Sequence, residues 1–198
     1  RDIDGSIMGT LFVDNIKHQS SQGSGTITIG ASGETIKAAS GATNNIGIGM
    51  VDQFRLTAVK TDSTDITANL ERVDTSGFGR IGTGMTESSG IFSFPLTGIY
   101  LVNTQTYWKG NSGGATYAGV YTSFTQNDSS YVIQGNTYCS FQANNYYQNT
   151  FVSVLVDVTD TSLCKVKFTR DASVANAELR GSTTQTLTGF TFLRLGDT

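Results

Sequence analysis

The sequence predicts an all-β protein: a β-sandwich preceded by an extended β-rich N-terminal arm. Three observations lead there. Composition is the first: 23 glycines, 10% aromatic residues and only 15% charged residues among 198, with β-branched and aromatic residues prevailing over good helix formers. The second is periodicity. Short runs of alternating apolar and polar residues recur along the chain, and no useful length keeps a helical spacing. The third is punctuation: Gly, Asn, Ser and Asp clusters separate these runs at the rhythm of a sandwich.

Residues 1–48 read as the arm. Short alternations, Thr10-Leu11-Phe12-Val13-Asp14-Asn15-Ile16, Gly25-Thr26-Ile27-Thr28-Ile29-Gly30 and Gly33-Glu34-Thr35-Ile36-Lys37, are broken by Ser/Gly/Gln spacers. Each is too short to stand alone, because isolated two-stranded units are marginal in water. Leaving Phe12, Ile16, Ile27 and Ile29 in water is costly. An ordered arm or fibre shaft, packed against copies of itself or another protein, is therefore expected.

Residues 49–198 read as the sandwich. Strands are expected at 53–59, 65–70, 91–94, 99–108, 116–125, 131–133, 137–141, 150–159, 163–169, 177–180 and 185–195, with a glycine-rich link at 77–90. Two of these strands are apolar on both faces. The 99–108 run sets Tyr100, Val102 and Trp108 against Ile99, Leu101 and Tyr107. The 150–159 run sets Val152, Val154, Val156 and Val158 against Phe151 and Leu155. Such strands lie in the middle of covered layers or between a core and a subunit contact. Hydrophobic residues total only 37%, which is low for a large monomeric core and fits a core shared between subunits.

The only proline, Pro95, stands in Phe92-Ser93-Phe94-Pro95-Leu96-Thr97-Gly98-Ile99-Tyr100. Proline cannot donate to a sheet ladder, so it marks a strand corner, and Gly98 permits the turn that follows. Phe92, Pro95, Gly98 and Tyr100 match the pattern Phe-x-x-Pro-x-x-Gly-x-Tyr, which resembles the signature of the C1q/TNF-like family. Near the C-terminus, Thr188-Gly189-Phe190-Thr191-Phe192-Leu193 resembles the closing strand of the same domains. This likeness implies a jelly roll, a homotrimer and a protein that binds rather than transforms its partners. No collagen repeat precedes the domain, unlike in true C1q proteins.

A second resemblance lies in the arm. Leu11-Phe12-Val13-Asp14-Asn15-Ile16-Lys17 followed by Gly25-Thr26-Ile27-Thr28-Ile29 looks like the opening of bacteriophage fibre and virion-surface proteins, marine phages in particular. It implies a virion-surface protein whose arm meets other virion proteins. The expected role is a tail-fibre or spike-type receptor-binding homotrimer that attaches to a bacterial surface glycan or protein. A capsid decoration protein or head fibre is the first alternative, and a soluble C1q-like binding protein the second.

Chemistry is sparse. With net charge −3 and 13 scattered basic residues, no electrostatic footprint for nucleic acid is expected, and no apolar run is long enough to insert in a membrane. Gly110-Asn111-Ser112-Gly113-Gly114 fits the Gly-x-Ser-x-Gly pattern, but a nucleophile elbow needs a strand, a turn and a helix, and a hairpin is expected here. His18 is the only histidine, so it has no second imidazole to share a metal. Asp157-Val158-Thr159-Asp160-Thr161 lacks the ligand spacing of a calcium loop and reads as a turn with a side-chain bond. Cys139 and Cys164 read as small core fillers rather than a disulfide. No cofactor, metal or catalytic residue is expected. The candidate binding residues lie in two aromatic- and amide-rich loop regions: Trp108, Asn111 and Tyr117 in one, Asn144, Asn145, Tyr146 and Tyr147 in the other. Aromatic rings stack on sugar C–H faces, and amides pair with hydroxyls.

Overall fold

A computed structural model describes residues 48–197 apart from 112 and 143. The arm expected over 1–48, with His18, lies outside the described residues but for Ile48. Eleven strands follow in order: β1 Met50–Leu56, β2 Leu70–Arg72, β3 Thr86–Ser88, β4 Ile91–Ser93, β5 Gly98–Gly110, β6 Ala115–Thr125, β7 Val132–Phe141, β8 Tyr147–Val158, β9 Lys165–Ala172, β10 Ala177–Leu179 and β11 Gly189–Gly196. The described residues contain no helix.

The strands form two antiparallel sheets. In the first, β5 is central: β8 pairs along one side, β11 and then β10 along the other, and β1 and β2 continue beyond β11. The second runs β3-β4-β9-β6-β7. Inward parities meet between the sheets. Tyr100, Val102 and Trp108 of β5, Val154, Val156 and Val158 of β8, Phe190 and Phe192 of β11 and Phe54 of β1 face Phe92, Val120, Phe124, Val166 and Phe168. At the centre, Phe168 stacks on Phe190 at 3.9 Å and Phe92 meets Phe54 edge-on at 5.1 Å.

The proline-centred motif has a physical role at each position. Phe92 is fully buried among four other phenylalanine rings. After Pro95 the chain turns, and the Tyr100 hydroxyl donates back to the Leu96 carbonyl at 2.8 Å, so a buried phenol keeps its polar end satisfied. Gly98 has φ +135°, and a Cβ there would lie 2.3 Å from the Gly196 carbonyl oxygen. Only glycine lets the start of β5 pass that close to the end of β11.

Several expected boundaries move. Residues 65–70 do not form a strand. Asp65 instead accepts from Lys167 at 2.8 Å and Thr169 at 2.5 Å, Ile66 inserts into the core, and Asn69 takes a left-handed conformation at φ 57°. Only an isolated bridge, Asp65 to Thr169, ties this stretch to β9, and the next strand begins at Leu70. The link at 77–90 contains β3, which pairs with β4. The separate runs 131–133 and 137–141 are one strand, β7, with a register shift beside Gly135. A Cβ at Gly135 would lie 2.6 Å from Val154, so the missing side chain lets the edges of the two sheets close together. β8 begins three residues before the expected 150, because Tyr147 pairs with Lys109. Residues 163–164 and 185–188 stay outside the strands that follow them.

Several polar groups inside the sandwich are paired. Asp52 is fully buried and accepts from Arg72 Nε at 3.0 Å and from the Met85 amide at 2.8 Å. Thr104 and Thr122 bond across the sheets at 2.8 Å. Cys164 is buried, Cys139 half-buried, and both are free thiols, as expected of fillers. Asp160 accepts from the Ser162 amide at 2.7 Å, the side-chain turn expected there.

Candidate functional site

The β5–β6 and β7–β8 loops lie at one end of the sandwich and are joined through backbone. The Gly110 amide donates to the Tyr146 carbonyl at 2.8 Å, and the Asn145 amide to the Gly110 carbonyl at 2.7 Å. Asn145 sits at φ 59°, a conformation that asparagine tolerates better than most residues. The Gly113 amide donates to the Asn144 side chain. Asn111 donates from Nδ2 to Glu178 Oε1 at 2.8 Å, and Arg180 holds the other carboxylate oxygen at 2.8 Å. Burial pushes the Glu178 carboxyl up, but these two donors outweigh it and the pKa is lowered.

Asn111, Asn144, Asn145, Tyr146 and Tyr147, from the two loop regions, are thus brought to one end of the sandwich. Their roles differ. The amides of Asn111 and Asn144 are engaged in holding the loops, whereas Tyr146 and Tyr147 are exposed. Tyr147 stacks on Tyr107 at 5.7 Å with rings 17° apart. Two expected members lie elsewhere. Trp108 is wholly buried, its Nε1 donating to Thr106 Oγ1 at 2.8 Å and Arg170 lying over its ring at 5.5 Å. It follows the inward parity of β5 and is core. Tyr117 is exposed on the outer face of the second sheet, edge-on to Tyr138.

Gly110-Asn111-Ser112-Gly113-Gly114 joins β5 to β6. A strand follows this turn where a nucleophile elbow requires a helix.

A second surface lies on the outer face of the first sheet. Register aligns Leu155 of β8, Leu101 of β5, Leu193 of β11, Val51 of β1 and Ile81 in one row. Leu155 and Phe151 are each 61% exposed. Tyr107 and Tyr147 share this face at its loop end. Sequence parity named Leu101, Phe151 and Leu155, but the alignment of five segments depends on pairing between residues far apart in the chain. Sequence reasoning missed Tyr121, Tyr138 and Asp171 beside Tyr117. The signal for part of it was present, since Tyr117, Gly119 and Tyr121 share a parity.

No family model matches the sequence, and no curated protein does. Solved structures are similar to it. Murine APRIL at pH 5.0 is 16% identical, with 74% of this chain and 98% of that one covered at a TM-score of 0.55. Eiger TNF from S. frugiperda is 12% identical, with 77% and 95% covered at a TM-score of 0.58. Identities this low establish the fold: the described chain is a C1q/TNF-like jelly roll.

Proposed function

We propose that this chain is the recognition domain of a non-enzymatic homotrimer on the surface of a bacteriophage virion, of tail-fibre or spike type, that attaches the particle to its host. The carrying observation is the apolar row Leu155–Leu101–Leu193–Val51–Ile81 with Phe151 beside it, on the outer face of one sheet. Leu155, Ile81 and Phe151 are exposed and Leu101, Leu193 and Val51 half-buried, and contiguous apolar surface left open to solvent marks an interface. A second and third copy of the chain are the occupants proposed, in keeping with the jelly-roll fold. The virion reading draws its support from the arm motifs at 11–17 and 25–29.

The loop end would then be displayed in three copies around one axis. Linked weak sites gain avidity without any new contact. The recognition target is a bacterial surface glycan or protein met by Tyr146 and neighbouring amides, with no cofactor. Light scattering should give the mass of a trimer; a monomer at micromolar concentration overturns the assembly. Purified protein should adsorb to whole host cells, and Tyr146→Ala should weaken this while leaving the trimer intact. Binding to naked capsids with no adsorption to cells replaces the adhesin reading with a capsid decoration protein or head fibre.

A further inference from the structure

The outer face of the second sheet carries a polar aromatic cluster that neither the loop end nor the assembly face uses. Gly119 of β6 is its centre. It is flanked by Tyr138 of β7 on one side and Asp171 of β9 on the other. A Cβ at Gly119 would lie 2.4 Å from Tyr138 Cδ1. The missing side chain lets the Tyr138 ring lean across β6 and place its hydroxyl 2.8 Å from Asp171 Oδ2. The Tyr121 hydroxyl reaches the same oxygen at 2.6 Å, and the two phenol oxygens are 2.6 Å apart. Tyr117 closes the group, edge-on to Tyr138 at 5.7 Å and 90°. Tyr117 and Tyr138 are each 42% exposed.

Two rigid, partly exposed rings are therefore held beside a carboxylate whose Oδ2 is engaged by phenols. Burial, then the bonds to Tyr121 and Asp171, raise the Tyr138 pKa; for Tyr121 the bond to Asp171 is the main cause. Both phenols stay protonated, their protons turned to Asp171 Oδ2, so their oxygens face a ligand as acceptors. The rings touch one another, Tyr121–Tyr138 at 6.1 Å and Tyr117–Tyr138 at 5.7 Å. That leaves no gap for a methylated ammonium between ring faces, so this is a platform and not a cation cage. Lys167, four residues away on β9, is bound to Asp65 at 2.8 Å, and Arg170, whose charge reaches Asp171, is buried over Trp108, so an anionic ligand would meet the Asp171 carboxylate first.

We propose that Tyr117, Tyr138 and Asp171 form a binding site for a neutral hexopyranose, with Tyr121 as a positioning residue. The apolar face of the sugar lies on the rings, and adjacent hydroxyls bond to Asp171 Oδ1 and the phenol oxygens. The site is on the opposite sheet from the proposed assembly face, so a trimer would present three copies outward. It does not depend on the virion reading or on the loops, and a monomeric protein leaves it standing.

The test titrates the full chain with the methyl β-glycosides of glucose, galactose and mannose, followed by saturation-transfer difference NMR. The methyl glycoside of glucuronic acid and tetramethylammonium serve as controls. Saturable binding of at least one neutral glycoside at millimolar concentration is expected. Tyr117→Ala and Asp171→Asn should each weaken it about tenfold or more, the equivalent of ~1.4 kcal/mol. Tyr138→Phe keeps the ring and the fold but removes the hydroxyl, and it should weaken binding too. Leu163→Ala, an exposed residue in neither the loop end nor this cluster, should have no effect. The proposal is overturned if none of the three neutral glycosides binds, or if the glucuronide or tetramethylammonium binds as tightly. Equal affinity in wild type and the folded Asp171→Asn and Tyr138→Phe proteins also overturns it.

Discussion

Leu155→Ala should dissociate the assembly while leaving the protomer folded. Leu155 lies on the outward side of β8, opposite Leu101, and is 61% exposed in the protomer. Its removal costs the sandwich little, because its inward neighbours Val154 and Val156 carry the core packing. In a trimer the same side chain would be covered. Truncation removes three carbons, about 2 kcal/mol if fully transferred from water at ~0.8 kcal/mol per methylene group. Scaled by the exposure that association can remove, this is about 1.5 kcal/mol per copy, or about 4.5 kcal/mol over three copies. That corresponds to roughly a thousandfold rise in the trimer dissociation constant. Sedimentation velocity over a dilution series from micromolar to nanomolar measures it, with circular dichroism confirming an unchanged β spectrum. If the mutant and wild-type midpoints agree within about threefold, the row is not the interface. If the mutant unfolds instead, the division of β8 into core and assembly faces is wrong.

Gly98→Ala should destabilise the fold by about 1–3 kcal/mol or more, since φ is +135° and the new Cβ meets the Gly196 carbonyl at 2.3 Å. Gly196→Ala, with nothing within 4 Å of its Cβ, should stay within about 1 kcal/mol of wild type in urea unfolding. The Thr64 hydroxyl and the Lys60 ammonium hold the Asp62 carboxyl down to about 2 from 3.8. Because the folded value is the lower one, the contribution is complete above the unfolded value and is lost as pH falls through the folded one. The stability gap between wild type and Asp62→Asn should therefore be constant at neutral pH and close between about pH 4 and pH 2. Burial pushes the Cys139 thiol up to about 11. Iodoacetamide should label it slowly at pH 8 in the native protein, faster as pH approaches 11, and readily in urea at pH 8, where the thiol regains its ordinary pKa.

Local chemistry made much of the fold legible. The alternation in 99–108 and 150–159 places Tyr100, Val102, Val154 and Val156 inward, and the structure keeps that parity. The corner at Pro95 and Gly98 follows from one missing donor and one missing side chain. Residues 65–70 alternate like a strand, but they meet β9 only through the single bridge Asp65 to Thr169: Ile66 turns into the core, Asp65 turns out to Lys167, and no continuous ladder follows. Trp108 was misplaced for the same kind of reason. Its neighbours Lys109 to Asn111 look like a recognition loop, but strand parity carries its ring inward.

The sequence by itself determined the β class, the jelly-roll landmarks at Phe92–Tyr100 and Gly189–Phe190, the two-faced strands and two loop regions rich in tyrosine and asparagine. These rest on period, glycine and proline, which act on neighbours a few residues away. Only the tertiary structure decided which outward residues share a surface. Leu155, Leu101, Leu193 and Val51 form a row, and Tyr138 reaches Asp171 over Gly119, because strands distant in sequence pair in one register. A shift by one residue would turn each side chain to the opposite face, and no local pattern encodes a register between strands a hundred residues apart.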